Sequence, residues 1–307
     1  MKALVGYTGF VGSNLALATK FDCMYNSKNI KEAYGSEPEL LVYAGVPAAK
    51  YLANKAPEED LAIIRQAEEN IARIAPRKLV LISTIDVFPA PVGVDEQTIP
   101  AEGGEAYGRN RRELELWVRE HYSDALIVRL PALFGHNLKK NFIYDILHPI
   151  PFRLTEQLFD RFGQQEAGLT GYYEPMGNGF YQRRDLNRDE EKLVKDIFSR
   201  LDFSALNFTD SRSSYQFYPL SRLWQDIETA LAHELRIFHP ATEPVTAGEL
   251  YENLTGQVFS NEFGRLPAHY DYHTCYGDIF GGMGDYIMDK KTVMKQIGDF
   301  CGAHHAE

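Results

Sequence analysis

The sequence lacks long apolar runs, paired cysteines and an excess of positive charge, and each shortage excludes a class of protein. No apolar run approaches the roughly 20 residues that a membrane-spanning helix needs. The three cysteines, Cys23, Cys275 and Cys301, are far apart and odd in number, which argues against a disulfide framework and indicates a reducing compartment. The net charge of −11 disfavours a nucleic-acid-binding protein, because such a protein needs a basic face.

The 307 residues have an ordinary globular composition, with 44% hydrophobic and 24% charged residues, which excludes a disordered chain. The length allows one domain with an added lobe, or two domains. The first residues follow an apolar strand pattern rather than the pattern of a signal peptide, so we expect a cytoplasmic protein.

Strand and helix patterns alternate along the first half of the chain. They predict strands at residues 2–6, 21–26, 40–44, 78–83 and 125–130, and helices at residues 12–19, 58–74 and 107–121. This order predicts an α/β fold, a Rossmann-type doubly wound parallel sheet with helices on both faces. The segment between residues 26 and 39 is short, so we expect one strand of the first half to be abbreviated.

The alternation changes after about residue 135, where proline, glycine and aromatic residues become frequent. Later patterns predict a helix at residues 217–233, a strand at 236–239, and a helix that opens with a capping box at 246–249. We therefore predict a sheet domain over residues 1–135, to which a segment at about 205–240 returns. The remaining residues, 136–307, are predicted to form a smaller mixed lobe interleaved with that domain.

The loop at residues 6–12, Gly-Tyr-Thr-Gly-Phe-Val-Gly, lies between the first predicted strand and the first helix. Glycines there let the backbone turn tightly and approach a pyrophosphate, which the helix N-terminus attracts. The loop therefore predicts a dinucleotide site. The predicted contacts are Gly6, Thr8, Gly9, Phe10, Val11 and Gly12.

The end of the second predicted strand carries no carboxylate to bind the adenosine ribose. It reads Asn26, Ser27 and Lys28 instead. Small polar groups beside a lysine suit a 2′-phosphate, which favours NADP over NAD as the cofactor. The alternative is that Lys28 is an ordinary solvated loop charge.

Five motifs in this order resemble the extended short-chain dehydrogenases/reductases, a family that includes nucleotide-sugar epimerases, dehydratases and reductases. They are the glycine loop and residues 41–45 (Leu-Val-Tyr-Ala-Gly), 81–88 (Leu-Ile-Ser-Thr-Ile-Asp-Val-Phe), 106–111 (Ala-Tyr-Gly-Arg-Asn-Arg) and 129–135 (Arg-Leu-Pro-Ala-Leu-Phe-Gly). The resemblance covers roughly the first 135 residues. It implies that Ala44, Gly45 and Pro131 also contact the cofactor.

The resemblance also implies a catalytic set of Thr84, Tyr107 and Arg111. Tyr107 takes the place of the family's acid/base tyrosine, and Thr84 that of the hydroxyl residue that orients the reacting oxygen. A phenol with an ordinary pKa of about 10 serves as a base only if positive charge stabilises the phenolate. Arg111 stands where the family has lysine, four residues after the tyrosine, and is expected to supply that charge and to contact the nicotinamide ribose.

Two departures from the family pattern bear on activity. Because arginine is bulkier than lysine and keeps its proton, either the enzyme works with Arg111, or the chain binds the cofactor without turnover. The dehydratases of the family carry Asp-Glu after the threonine, where this chain has Ile85 and Asp86. An isoleucine cannot protonate a leaving hydroxyl, so the dehydratase reaction is disfavoured.

The second lobe is expected to bind the substrate, which the resemblance implies is a nucleotide sugar. The candidate substrate-binding residues are Asp86, Lys139, Lys140, Asn141 and Arg212. The lysines fit a pyrophosphate, although a solvated helix start explains them equally well. His269 and His273 follow a proline in an aromatic stretch, so no metal site is predicted.

These observations predict an NAD(P)-dependent epimerase or ketoreductase of a nucleotide-activated sugar. A non-catalytic dinucleotide-binding protein derived from the same family is the alternative, and a reductase of a small carbonyl compound is a weaker one. The family also suggests a homodimer through paired helices, although core packing explains the same apolar residues.

Overall fold

The computed structural model of the chain describes residues 1–304. Its strands are β1 Lys2–Val5, β2 Cys23–Tyr25, β3 Leu40–Tyr43, β4 Leu79–Thr84, β5 Leu126–Leu130, β6 Ala132–Phe134, β7 Arg153–Thr155, β8 Tyr173–Pro175, β9 Phe180–Arg183, β10 Ser214–Tyr215, β11 Phe217–Pro219, β12 Ile237–Phe238 and β13 Val245–Thr246. Its helices are α1 Phe10–Ala18, α2 Lys50–Lys55, α3 Pro57–Ile74, α4 Ala106–His121, α5 Phe142–Leu147, α6 Glu156–Gln165, α7 Arg188–Arg200, α8 Leu223–Ala232, α9 Ala247–Thr255 and α10 Lys290–His304.

Six strands form one sheet in the order β12-β5-β4-β3-β1-β2, and every neighbouring pair is parallel. The Rossmann-type parallel sheet predicted from the sequence is thereby confirmed. The strand β2 lies at the edge, because the short segment between β2 and β3 forms only a 3₁₀ turn, Ile30–Ala33. The abbreviated first half is therefore also present.

The sheet is buried on both faces, as a parallel sheet requires. Alternate strand residues such as Ala3, Leu41 and Leu81 form a core with the apolar side of α3 and α4. The intervening residues, such as Leu4 and Val80, are also buried, on the face where α1 and α8 pack. The helical spacing in α3 thus marks the side that covers the sheet.

The chain divides into two compact units. Over the described residues, unit 1 comprises residues 1–138, 214–246 and 268–304, and unit 2 comprises residues 139–213 and 247–267. The first segment of unit 1 ends at residue 138, close to the predicted boundary at residue 135. The division differs from the prediction near the other end of the chain, because residues 268–304 contribute to unit 1. Backbone hydrogen bonds hold them there, including Gly93 N to Asp271 O at 2.7 Å and Ile287 N to Ala241 O at 2.8 Å.

Unit 2 is built around the antiparallel sheet β7-β9-β8 and an aromatic core. Phe162 and Phe198 meet edge to face with ring centroids 6.0 Å apart, and Phe162 also lies 4.9 Å from Phe203. Much of the aromatic content after residue 142 is therefore core. No helix within residues 1–304 combines the length and apolar character that a membrane crossing requires.

One predicted helix begins later than expected. The spacing predicts a helix from residue 217, but residues Phe217–Pro219 form β11, which pairs in parallel with β6. A 3₁₀ turn follows, and α8 begins at Leu223. Pairing with another strand overrides the helical pattern here, and Pro219 lacks the N–H group that a helix interior needs.

Candidate active site

The glycine loop lies where the carboxyl ends of β1, β2 and β3 meet. The Gly6 amide donates to the Tyr25 carbonyl at 2.7 Å, and the Ala44 amide donates to the Val5 carbonyl at 2.9 Å. Gly6 has a φ of +90°, and a Cβ atom there would overlap the Ala44 carbonyl. Only glycine allows this close approach, which brings the predicted cofactor residues of the loop beside Ala44 and Gly45.

The loop forms a cradle that fits a dinucleotide phosphate. A Cβ atom on Gly12 would overlap the Gly6 carbonyl, so Gly12 is required for α1 to approach β1. Gly9 is the N-cap residue of α1 and is exposed together with Thr8, and a Cβ atom on Gly9 would meet only the Gly6 oxygen, at 3.3 Å. The space above Gly9 is open and faces the positive end of a helix.

The end of β2 places its polar residues beside this loop. Asn26 donates from Nδ2 to the Tyr7 hydroxyl at 3.2 Å, and its Oδ1 accepts from the Lys28 amide at 2.9 Å. Ser27 and Lys28 are exposed. Asn26 therefore anchors a turn that presents the Lys28 ammonium group to solvent at the carboxyl edge of the sheet.

Thr84 and Tyr107 are brought together at the end of β4. Thr84 is the last residue of β4, its hydroxyl accepts from the Asp86 amide at 3.2 Å, and it is near enough to the Tyr107 side chain to affect the pKa of the phenol. Tyr107 lies in the first turn of α4 and is buried. Pro131 follows β5, whose last residue, Leu130, pairs with Thr84, so it lies at the same edge.

Gly108 makes this meeting possible. A Cβ atom at that position would overlap the Asp86 carbonyl, so any other residue would push α4 away from the turn after β4. Gly108 is itself a signal in the sequence. A glycine within a helix lowers stability by about 1 kcal/mol relative to alanine, so its presence indicates a packing requirement.

The environment of Tyr107 has opposing effects on its pKa. Burial is the largest cause and raises the pKa above its ordinary value, and the Asp86 carboxylate raises it further. Positive charge from Arg111 and Lys50 and the hydrogen bond with Thr84 lower it. The phenol is therefore protonated at neutral pH in the free chain.

Arg111 lies beside Tyr107, as expected, and its role toward a nicotinamide ribose stays a prediction. Its guanidinium group lies over the Tyr107 ring face, 3.9 Å from the ring centroid, rather than reaching past the ring. Its Nη1 atom forms an ion pair of 2.5 Å with Asp60, and Nη2 donates to the Pro47 carbonyl at 2.7 Å. Both partners of the ion pair are buried. Arg111 is thus committed to a buried carboxylate.

Asp86 is also occupied. Its Oδ1 atom accepts from the Tyr270 hydroxyl at 2.8 Å and lies 3.1 Å from the Lys50 ammonium nitrogen. Asp60, Lys50 and Tyr270 were not identified from the sequence, since each is more than 30 residues from its partner in the chain. Nothing in the local pattern distinguishes Asp60 from the exposed acidic residues beside it.

The remaining predicted substrate residues lie in unit 2. Arg212 donates to Asp210 at 2.7 Å and lies 3.2 Å from Glu262. Asn141 caps α5 by accepting from the Tyr144 amide at 3.1 Å. Lys139 and Lys140 are exposed. Their role in substrate binding stays a prediction, and for Arg212 a phosphate would have to compete with two carboxylates.

The histidines of the aromatic stretch have other partners. The His269 Nδ1 atom lies 2.7 Å from the Ser214 hydroxyl, and His273 lies within 4 Å of Asp271 and Asp285. Over the part of the chain that the structure describes, no group of three His, Cys, Asp or Glu residues is arranged to hold a metal ion.

Known proteins resemble this chain in sequence over part of its length and in overall fold. A family model described as the RmlD substrate binding domain matches residues 6–155. No curated protein matches the sequence. The fold is similar to that of dTDP-4-dehydrorhamnose reductase from Yersinia enterocolitica, with a TM-score of 0.64, 13% identity and 98% of each chain covered.

Two further solved structures share the fold. The dTDP-4-dehydrorhamnose reductase of Bacillus anthracis in complex with NADP has a TM-score of 0.63 and 15% identity, covering 97% of this chain and 96% of that chain. The Bordetella bronchiseptica enzyme WbmG in complex with NAD and UDP has a TM-score of 0.65 and 14% identity, covering 99% and 94%. At these identities the likeness shows the fold.

The buried ion pair between Asp60 and Arg111 yields a stability prediction. We expect Asp60→Ala to lower the free energy of unfolding by about 3–5 kcal/mol, because it leaves a buried guanidinium group without its counter-ion. The control is Glu69→Ala on the same helix, which removes an exposed ion pair with Arg73 and should cost about 0.5 kcal/mol. Urea denaturation measures both, and equal losses would contradict the prediction.

Proposed function

Because the chain belongs to the extended short-chain dehydrogenase/reductase family, we propose that it is an NAD(P)-dependent ketoreductase or epimerase of a nucleotide-activated sugar. The observation that carries the proposal is the placement of the buried Tyr107 at the carboxyl edge of the sheet, where Gly108 lets the first turn of α4 approach the turn that follows Thr84. The glycine loop opens at that same edge, where ligands bind in open α/β sheets.

The residues around the loop suit a nicotinamide dinucleotide. The α1 N-terminus and the open backbone at Gly9 would hold the pyrophosphate, and the turn at Asn26–Lys28 would hold the adenosine ribose. Ala44, Gly45 and Pro131 line the same edge, farther along the sheet. Solved structures of this fold contain NADP or NAD, which supports this cofactor class.

The chemistry assigned to the chain's own residues is proton transfer and orientation. When bound, the dinucleotide accepts or donates a hydride at the reacting carbon. As the phenolate, Tyr107 takes the hydroxyl proton when a carbinol is oxidised, and as the phenol it donates its proton when a ketone is reduced. Thr84 hydrogen-bonds the reacting oxygen and holds it against the phenol.

The substrate class rests on two observations. The similar structures include enzymes named for dTDP- and UDP-sugars, among them UDP-glucose 4-epimerase from Thermotoga maritima. Position 85 is a buried isoleucine, which cannot protonate a leaving hydroxyl, and this disfavours the dehydratase reaction. Reduction and epimerisation need only the Thr–Tyr pair, positive charge and the dinucleotide.

A specific observation favours a second candidate function. Arg111, the residue at the family's lysine position, is paired with Asp60 and does not extend beyond the tyrosine ring. A chain in which Asp60 neutralises this positive charge would bind the dinucleotide without turning over a substrate. The two candidates share cofactor binding and differ in turnover.

The first test is cofactor binding. We expect NADPH to bind in calorimetry and Gly9→Asp to weaken binding at least about 100-fold, because a carboxylate would occupy the phosphate position. Gly264→Asp is the matched control, since Gly264 is exposed and has open space where a Cβ would lie. The proposal fails if the unaltered chain binds no nicotinamide dinucleotide or if the two variants bind it equally.

The second test is turnover. UDP-, GDP- and dTDP-sugars would be screened by cofactor fluorescence, with small carbonyl compounds as a separate panel. We expect turnover of a nucleotide sugar and a loss of about 100-fold or more in kcat for Tyr107→Phe, which removes the acid/base. Cofactor binding without turnover would favour the binding protein, and turnover of small carbonyls alone would rule out a nucleotide-sugar substrate.

The third test is the choice of cofactor. We propose that Lys28 favours NADP by pairing with its 2′-phosphate, so Lys28→Glu should reduce the NADPH/NADH preference at least about tenfold. Lys31→Glu makes the same charge change three residues later, in the 3₁₀ turn, and should leave the preference unchanged. Dissociation constants for both cofactors provide the measurement, and an equal response of the two variants would argue for a solvated Lys28.

A further inference from the structure

The short helix α2 presents two residues to the start of α4. Asn54 accepts from the Tyr107 amide through Oδ1 at 2.9 Å. Lys50 lies four residues earlier, on the same face of α2, with its ammonium nitrogen 3.4 Å from the carboxylate of Glu105, the N-cap residue of α4. Helix α2 therefore holds a lysine at the helix turn that carries Tyr107.

The Lys50 ammonium group also belongs to the network on the other side of Tyr107. It lies 3.1 Å from Asp86 Oδ1 and 3.4 Å from the Tyr270 hydroxyl, which donates to the same carboxylate oxygen at 2.8 Å. Asp86 follows Thr84 by two residues, and both residues affect the pKa of Tyr107. Lys50 thus faces a carboxylate that opposes ionisation of the phenol.

Lys50 keeps its charge in this position. Burial is the largest single cause and would lower the pKa of Lys50, but Asp86, Tyr270 and Glu105 together raise the pKa above its ordinary value. Its side chain is 42% exposed, whereas that of Arg111 is 5% exposed. Of these two cations, Lys50 is therefore the one that solvent reaches.

We propose that Lys50 joins Arg111 as a second positive charge that supports Tyr107, acting as a positioning residue through its ion pair with Asp86. The proposal rests on the acid/base role given to Tyr107 above. Arg111 cannot take this part alone, because its charge is balanced by Asp60 within the core. A separate helix, α2, thus adds positive charge to that which Arg111 supplies at the four-residue helical spacing.

The sign of the effect follows from the groups around the phenol. Arg111 of α4 lies on the Tyr107 ring and is paired with Asp60 of α3. The other groups that affect the phenol are Thr84 at the end of β4, Asp86 in the turn that follows, and Lys50 of α2. Glu105 and Tyr270 contact Lys50. Removing Lys50 leaves the Asp86 carboxylate uncompensated, which raises the pKa of Tyr107, whereas removing the Asp86 charge lowers it.

The test follows Tyr107 directly in the free protein. With ¹³Cζ-labelled tyrosine, NMR would monitor its ionisation, with the signal assigned by its loss in Tyr107→Phe. We expect Lys50→Met to move the Tyr107 titration to higher pH by about one pH unit, and Asp86→Asn to move it to lower pH. Lys55→Met, at the exposed end of the same helix, is the matched control and should have no effect.

The outcomes separate this proposal from the proposed function. The Lys50 proposal is overturned if Tyr107 titrates at the same pH with and without Lys50, both in the unaltered chain and in the Asp86→Asn variant. Lys50→Arg keeps the charge and should restore the original titration, which a merely structural role would not predict. If a substrate is found, the pH profile of carbinol oxidation should shift to higher pH in Lys50→Met. If none is turned over, the catalytic proposal fails while the NMR result still decides the role of Lys50.

Discussion

The close approach of α4 to the turn after β4 is the constraint on which the candidate site depends. It is possible because residue 108 is glycine, whose missing Cβ leaves room for the Asp86 carbonyl. With α4 at this distance, Tyr107 in its first turn meets Thr84 at the end of β4. An added methyl group would separate the two hydroxyl groups even though neither residue had changed.

Two buried ion pairs fix the orientation of α4 at this short distance. Glu115 accepts from the Arg129 guanidinium of β5, with both side chains fully buried and the shortest contact at 2.7 Å. Arg111 is held by Asp60 of α3. Because an unpaired charge in the core is costly, each pair permits little displacement of the helix. The ion pair that explains the arginine at position 111 therefore also explains why it is not available to a ligand.

The sequence patterns predicted what is encoded locally. The parallel sheet follows from the alternation of apolar strands with α1, α3 and α4, and the abbreviated first half follows from the short segment after β2. The glycine loop could be recognised from the sequence because three glycines, Gly6, Gly9 and Gly12, meet its steric requirements within seven residues. The strand at residues 217–219 was missed because its partner, β6, lies more than 80 residues away.

For the candidate site, too, the residues in local motifs could be predicted, whereas those that depend on distant parts of the chain could not. Thr84 and Tyr107 occupy recognisable motifs, and the structure brings them together. Asp60, Lys50 and Tyr270 carry no local signal, since a lysine in a short helix or an aspartate in an acidic turn is usually solvated. Their importance arises only when the sheet and its helices bring distant segments together.

An arginine at the lysine position therefore does not by itself indicate a degraded site. A phenol requires positive charge nearby, but Coulomb interactions depend on distance and burial and not on which helix carries the charge. In this chain the arginine stabilises the core, and a partly exposed lysine of α2 faces Asp86 beside the phenol. Separating the two tasks leaves Arg111 paired in the core and the partly exposed Lys50 paired at the carboxyl edge of the sheet.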